Sequence, residues 1–455
     1  MLPANLLMSR YLVPLLLTVV GALLALRIGP AEARAVHDQL QNFPDVQTQA
    51  HQLRPIIAVV ICFLPAVSGL FYAFAGTLAR YVTRQFLALF GICIFGLFTI
   101  WLIADLGDNI EDLRLSGNAP FFAVRLYAVR MPEIIVMLLP YGLLLSILYC
   151  LGRLSRSREI VAMIQTGRGL ARLTAPFLVA GGLAGLFCAA LNFQWAPAAV
   201  AAENIVMRKA KGLDSVAEPN IRYRNTDDRR LWMIGAFPPD YQKGAPLQRV
   251  MVIQERPDGT LKSIITAQTA AWSPTSRNWT FTETRKLLCW PKKAPKFEKN
   301  LPEPYIVTGW SEVPAELIRP GLPASQLGIP DLNDWLEANP PGTWASRGEH
   351  LTQWHYRWAQ PVNCLIVVLL ATPLGVVFSR RGASGGVATA VFLCAGMLFV
   401  SNACLSFGDS GHLKPAIAAW LPNIVFGCIA VFLFQRRLAG RPIYQSIRKF
   451  IPSGT

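Results

Sequence analysis

The acidic residue Glu159 stands near the start of an otherwise basic segment, RLSRSREIVAMIQTGRGLARL, at residues 153–173 between two long apolar runs. Helical spacing gathers Ile160, Val161, Met163 and Ile164 into an apolar patch beside this carboxylate. Such a pattern suits docking into a groove on another protein. It also suits a cytoplasmic loop helix that lies on lipid headgroups, and periodicity alone does not choose between the two.

Two other motifs resemble chemical sites but lack the residues that the chemistry needs. The sequence GDSG at residues 408–411, followed by His412, resembles the nucleophile loop of serine proteases. Catalysis there also needs a base and an orienting acid around Ser410, and a turn between two apolar runs is the simpler interpretation. His350 and His355 are five residues apart and do not share a helix face as an HExxH zinc pair does. We therefore assign no catalytic and no metal-binding residues.

No ATP site is recognisable in the sequence. The GxxxxGK[ST] loop, whose backbone amides cradle phosphates, is absent. If ATP drives this protein, ATP and its magnesium ion bind to another chain, and we expect no cofactor on this one.

The elements around the basic segment are apolar runs long enough to cross a membrane. Of 455 residues, 53% are hydrophobic and 15% are charged, whereas a soluble protein of this length needs more charge to cover its surface. A membrane-spanning helix needs roughly 18 to 20 apolar residues. Runs near or above that length cover residues 55–79, 86–104, 134–152, 173–202, 358–379, 382–408 and 415–434.

The apolar run at residues 11–26 is shorter and allows two interpretations. With Arg10 and the small-residue stretch PAEARA, it resembles a signal peptide and its cleavage region, which would remove residues 1–35. Alternatively, it is a retained helix that pairs with the run at residues 55–79. We favour retention, because the run is long for a signal core.

The excess positive charge lies beside the apolar runs. The net charge is +16, but the long polar region between Glu203 and Glu349 holds 20 basic and 17 acidic residues, which leaves 23 basic and 10 acidic residues elsewhere. This is the positive-inside pattern and not a nucleic-acid footprint. We therefore expect residues 153–172, Arg380-Arg381 and the tail after Arg436 to be cytoplasmic, and the long polar region to lie outside.

The polar region carries strand signals. The segments LWMIGAF, RVMVIQE, LKSIITA and WTFTETRKL are short and rich in β-branched and aromatic residues, and Asp258-Gly259 between two of them predicts a hairpin. We expect a small all-β domain. The Pro-rich stretch at residues 291–341 is interpreted as an edge of that domain and a linker back to the membrane.

The segment LPYGLLLSILYCLGRLSRSREIVAMIQTGRGLARL resembles the second and third spans of the LptF/LptG (YjgP/YjgQ) permease family. Members of that family read LP, a run of Leu and Gly, G-[KR]-L, and then S-E-[LI]-x-x-M with a closing Gly. Further matches follow in the same order: RYVTRQFL, QWAP, QPVNCLIVVLLATPLGVVFSRRG and WLPNIVFGCIAVFLFQRR. The resemblance covers about residues 78–440, and the first 77 residues have no counterpart in the family.

The resemblance implies a multi-pass bacterial inner-membrane protein, the permease subunit of an ABC transporter that extracts lipopolysaccharide. The expected fold is an α-helical six-helix unit with an inserted periplasmic all-β jellyroll-like domain, preceded here by one or two extra spans. The expected partners are a paralogous permease subunit, a cytoplasmic ATPase dimer and a periplasmic jellyroll bridge protein. The expected segments are residues 1–79, the first three helices at 80–202, the β-domain at 203–349, three helices at 350–437 and a basic tail at 438–455.

Within this resemblance, residues 156–167 match the coupling helix of the family, and Glu159 stands at the position of its glutamate. The resemblance therefore implies that Glu159, with Ile160, Met163 and Ile164, contacts the ATPase.

One departure from the family concerns the outer end of the first span, where members often carry Lys or Arg that meet lipid A phosphates. This sequence places an acidic rim there: Asp105, Asp108, Glu111 and Asp112. The rim repels phosphate, although divalent cations can bridge the two. We therefore consider Arg208, Lys209 and Arg357, or the partner subunit, as the source of phosphate contacts, with ordinary interfacial anchoring as the alternative for each of the three residues.

Two other functions stay open at this stage. One is a membrane-embedded hydrolase or transferase, for which the catalytic set is incomplete. The other is a transporter for a different glycolipid. The sequence does not distinguish an F-like from a G-like subunit.

Overall fold

The computed structural model describes residues 4–42, 48–114, 118–165, 167, 169–211, 221–225, 228–236, 245–291, 293–298, 301–314, 317, 323–339, 347–376 and 383–439. The helices before the sheet are α1 Ala4–Asn42, α2 Thr48–Phe74, α3 Thr77–Arg114, α4 Ala119–Arg156, α5 Glu159–Gln165, α6 Leu170–Phe193 and α7 Trp195–Ala210. Those after it are α8 Ile329–Ala338, α9 Arg347–Ala359, α10 Val362–Gly375, α11 Ala383–Asp409 and α12 Pro415–Leu438.

Seven of the described helices are long and apolar enough to cross a membrane, or eight spans if the bent pair α9 and α10 counts as one. The pair bends by 48° where α9 ends and α10 begins. Pro361 lies in this break, and its ring and missing N–H interrupt a continuous helix. The apolar run expected as a span at residues 358–379 begins at the end of α9, so the break divides this region between α9 and α10.

The N-terminal helices α1 and α2 form an antiparallel pair. A side chain at Gly21 would place its Cβ 2.6 Å from the carbonyl oxygen of Cys62, so the two backbones touch there. Further along, Arg54 ion-pairs with Glu32 at 2.6 Å and donates to Gln39 at 2.8 Å. This pair lies before the six-helix unit in the chain and packs on it through contacts of α2 with α3, α6 and α8.

The core of the six-helix unit is centred on α4, which packs against α3, α7 and α10. Its buried face includes Ile147 and Leu151, both fully buried. Phe86 from α3 meets Phe177 from α6 edge-on at 5.4 Å between ring centroids. Burial of this apolar surface joins α3, α4, α6, α10, α11 and α12 in one cluster.

The described strands form an eight-stranded antiparallel sheet between α7 and α8. The strands are β1 Ile221–Asn225, β2 Arg230–Ala236, β3 Leu247–Glu255, β4 Leu261–Ser273, β5 Asn278–Thr282, β6 Arg285–Trp290, β7 Lys293–Phe297 and β8 Tyr305–Val307. Their order is β1-β2-β3-β4-β5-β8, with β6 paired to both β4 and β7. Alternate residues of β2 are buried, and Trp232 packs against Trp279 at 5.0 Å, which gives the sheet its own core.

The expected all-β region is thus present. As predicted, the hairpin at Asp258-Gly259 joins β3 to β4, with Gly259 in the left-handed region at φ 79°. Two features differ from the sequence prediction. The segment WTFTETRKL, expected as one strand, is split into β5 and β6 because Glu283 adopts φ 50°. The Pro-rich stretch contains the helix α8, which the sequence interpretation missed.

Candidate functional site

The basic segment singled out in the sequence forms the corner between α4 and α6. The backbone N–H of Ser157 donates to the carbonyl of Arg153 at 3.1 Å as α4 ends. Arg158 then adopts φ 58°, which turns the chain into α5. Gly167 ends this short helix at φ 80° by donating to the carbonyl of Ile164. The helix at this corner is therefore Glu159–Gln165, shorter than the expected 156–167, because Arg156 still belongs to α4.

Glu159 is half-buried and tied to α3. Its Oε2 accepts a hydrogen bond of 2.8 Å from the hydroxyl of Tyr81, a residue 78 positions earlier in the chain. Tyr81 itself is 43% exposed. Nothing in the local sequence pattern pointed to this contact, since it joins the start of α3 to the start of α5.

Apart from Val161, which is exposed, the apolar patch of α5 faces the protein rather than a partner. Ile160 is 1% exposed and lies in the core of the six-helix unit, and Met163 and Ile164 are half-buried against the same core. These three residues fix the position of α5. The exposed face of α5, which is available to a partner, consists of Val161, Ala162 and Gln165, with Glu159 at its edge and the exposed Arg158 just before the helix.

The acidic rim at the opposite end of α3 is partly neutralised by neighbouring helices. Arg130 of α4 forms an ion pair of 2.9 Å with Asp105 and another of 3.2 Å with Glu203 of α7. Lys211 pairs with Asp112 at 2.8 Å. The other two rim residues, Asp108 and Glu111, are exposed.

Arg130 is the centre of this outer network. It also lies 3.7 Å from Glu133 and 5.1 Å from the ring centroid of Trp101. Burial raises the pKa of Glu203 above its ordinary value, and the charge of Arg130 opposes that shift. Arg130 lies outside the acidic rim in the chain and meets it only in the fold, so the sequence pattern does not reveal this network.

The three residues considered for lipid phosphate differ in accessibility. Lys209 is exposed and Arg208 is half-buried, both in the last turn of α7. Arg357 is only 8% exposed, and its Nη2 donates to the carbonyl of Ser325 at 2.5 Å. In the isolated chain Arg357 therefore faces protein, and Lys209 is the best presented of the three.

The GDSG segment forms the turn between α11 and α12. Ser410 Oγ lies 2.8 Å from His412 Nδ1 and 3.2 Å from the carbonyl of Phe407. Gly411 adopts φ 78°, and the N–H of His412 donates back to Phe407. These backbone bonds are those of a helix-joining turn, in agreement with the structural interpretation of the motif.

Comparisons with known proteins match most of the chain. Residues 80–436 match the family described as "Lipopolysaccharide export system permease LptF/LptG". The chain is also 22% identical over 361 residues to the "Lipopolysaccharide export system permease protein LptF" of Escherichia coli strain K12, covering 78% of this chain and 93% of that protein. Proteins of the same name from Escherichia coli O157:H7 and Shigella flexneri match to the same extent. The matched residues run from α3 into α12 and leave α1 and α2 outside.

Proposed function

The chain belongs to the LptF/LptG family of lipopolysaccharide export permeases, and from this premise we propose that it is the subunit that extracts lipopolysaccharide from the inner membrane and passes it outward. The observation that carries the proposal is the match over residues 80–436, which includes the six-helix unit, α5 and the inserted sheet. No observation favours a hydrolase, a transferase or a different glycolipid.

We place ATP and magnesium on a separate cytoplasmic ATPase dimer that docks at α5. The chain has no phosphate-binding loop of its own. The exposed face of α5 offers Val161 and Ala162 as apolar contacts and the carboxylate of Glu159 as a polar one. Because Ile160 fixes α5 in the core, closure of the ATPase would move α4 and α6 together with α5.

The proposed second permease subunit lies against α3. This helix is almost unburied within the chain, and its exposed apolar side chains need cover from lipid or protein. They include Ile92, Phe95, Ile100 and Ile103. A paralogous subunit facing this surface would enclose a lipid-binding cavity between the two chains.

The sheet is proposed to lie in the periplasm and to receive the lipid. One long helix, α6, separates α5 from α7 and the sheet in the chain, and we therefore assign the sheet to the end of the unit opposite α5. The jellyroll bridge protein is proposed to take the lipid from this sheet. At the boundary below the sheet, Lys209 is the preferred contact for lipid phosphate, with Arg208 beside it.

Reconstitution tests this proposal. The chain, its paralogous subunit and the ATPase are placed in liposomes with lipopolysaccharide, and transfer to a soluble bridge protein is measured with and without ATP. We expect transfer only with ATP and all three subunits, and no ATP hydrolysis by the chain alone. Hydrolysis by the pure chain, or equal transfer when the chain is omitted, would overturn the proposal.

A further inference from the structure

A cluster of three side chains of the metal-binding type joins α2 to α8. His51 of α2 and Asp331 and Asp334 of α8 place one ligand atom each within 4.8 Å of one another. His51 Nε2 lies 2.8 Å from Asp334 Oδ2. The two aspartates are three residues apart and therefore share one face of their helix.

The cluster is shielded from solvent. His51 is 0% exposed, Asp334 is 3% exposed and Asp331 is half-buried. The site offers one imidazole nitrogen and the oxygens of two carboxyl groups as ligands. A negative group removed from water needs compensation, and a divalent cation provides it.

A fourth side chain is directed into the cluster. Gln194, between α6 and α7, is 6% exposed and donates its Nε2 to Asp331 Oδ2 at 2.9 Å. Its Oε1 has no hydrogen-bond partner among the described residues. Gly328 leaves the space for this amide, because a Cβ there would lie 2.2 Å from Oε1. A half-turn of the amide brings Oε1 to face Asp331 and loses a single hydrogen bond.

We propose that His51, Asp331 and Asp334, with the amide oxygen of Gln194, bind one divalent metal ion of the zinc class. An imidazole nitrogen and carboxylate oxygens are ligands that zinc accepts. Ligands about 2.1 Å from a tetrahedral ion are about 3.4 Å apart, so the 2.8 Å pair must widen slightly and the more distant ligand atoms must close in.

The ion would fasten the N-terminal helix pair to α8. His51 lies outside the family match, whereas the aspartates lie inside it. Near the same end of α1, Leu40 packs against the core of the sheet. The metal site therefore fixes α1 and α2 beside the helix that leads from the sheet back to α9. His51 and Asp334 are 283 residues apart, so no local sequence pattern brings these two ligands together.

Zinc retention by the full-length chain tests the site. The purified chain, with any affinity tag removed, is equilibrated with Zn²⁺, passed through gel filtration and analysed for metal by mass spectrometry. We expect about one zinc per chain, and at least tenfold less in His51→Ala and Asp334→Asn. His412→Ala is the matched control, because it removes an exposed histidine outside the cluster and should retain the metal.

Thermal unfolding separates a metal site from a simple hydrogen bond. The wild-type midpoint should fall on addition of a chelator and recover with Zn²⁺, whereas the midpoint of His51→Ala should respond to neither. Equal zinc retention by wild type and His51→Ala would overturn the proposed metal site. A wild-type unfolding midpoint that changes with neither the chelator nor Zn²⁺ would do the same. Either result would mean that His51 and Asp334 form only a hydrogen bond.

Discussion

The hydroxyl of Tyr81 donates to Glu159 at 2.8 Å, so the acid that begins α5 is bound within its own chain to the start of α3. This contact does not use the full hydrogen-bonding capacity of a carboxylate, which accepts on two oxygens. Glu159 can therefore meet a group of the ATPase while it stays tied to Tyr81.

Replacement of Glu159 tests docking. We expect Glu159→Ala to insert normally but to bind the ATPase more than tenfold more weakly. Loss of one partner of a buried interfacial pair typically costs about 2 to 5 kcal/mol of binding free energy. Glu159→Lys should be worse. The measurement is recovery of the ATPase in a pull-down at matched membrane levels.

The control for this prediction is Tyr81→Phe, which removes the internal hydrogen bond and leaves the carboxylate. Because Tyr81 is partly exposed, the change should reduce stability by about 1 kcal/mol or less and retain the ATPase. Equal recovery with wild type and Glu159→Ala would mean that α5 is an ordinary surface helix.

Residues on the two faces of α5 should respond differently to truncation. Ile160→Ala removes a fully buried side chain and should destabilise the chain by about 2 to 4 kcal/mol. Val161→Ala, on the exposed face, should leave stability unchanged and weaken ATPase retention. Thermal unfolding and the pull-down together check this, and the reverse pattern would mean that α5 presents the other face to its partner.

The outer network predicts a pH-dependent loss when Arg130 is replaced. Arg130→Gln leaves Asp105, Glu133 and Glu203 near one another without their cation, and should destabilise the chain by about 3 kcal/mol near neutral pH. Burial already raises the pKa of Glu203, so its folded form holds the proton more tightly and stability falls as pH rises through that raised pKa. Without Arg130 the pKa should rise further.

The unfolding midpoint of Arg130→Gln should therefore drop further below that of wild type as the pH increases from 4 to 7. Lys211→Gln, which breaks a more exposed pair with Asp112, is the control and should lose about 1 kcal/mol or less. A deficit independent of pH would show that Arg130 acts through packing on Trp101 rather than through its charge.

Membrane orientation can be read by labelling introduced cysteines in spheroplasts. Ser157→Cys, at the corner before α5, should be protected from an impermeant reagent added outside. Thr275→Cys, in the turn between β4 and β5, should react. The native cysteines are first replaced by serine to remove background. Reaction at Ser157→Cys with protection at Thr275→Cys would invert the proposed topology.

Much of the fold could be predicted from local patterns. Apolar runs located the spans, because a helix in lipid must present apolar side chains all around. Alternation and turn chemistry located β3, β4 and the hairpin at Asp258-Gly259. The break at Pro361 was missed because the long apolar run after α9 obscured the proline. The helix α8 was missed because the many prolines around it suggested extended chain, whereas Pro330 lies in its first turn, where proline is favoured.

The candidate site was harder to predict than the fold. Local spacing placed Glu159 at a helix start and grouped Ile160 with Met163 and Ile164, but whether that face meets a partner or the core depends on packing against α4 and α6. The partners of Asp105 and His51 come from distant elements, and a single sequence does not reveal such pairings. The expected role of Arg357 took no account of its burial against Ser325.

We propose that this chain exports lipopolysaccharide by coupling through α5 to a separate ATPase. The most direct measurement is the rate at which newly made, radiolabelled lipopolysaccharide reaches the outer membrane after the chain is depleted in its own cells. We expect depletion to stop this transfer, the wild-type gene to restore it, and Glu159→Ala, present at the same membrane level, to fail. Transfer at the normal rate in depleted cells would contradict the proposal that this chain exports lipopolysaccharide.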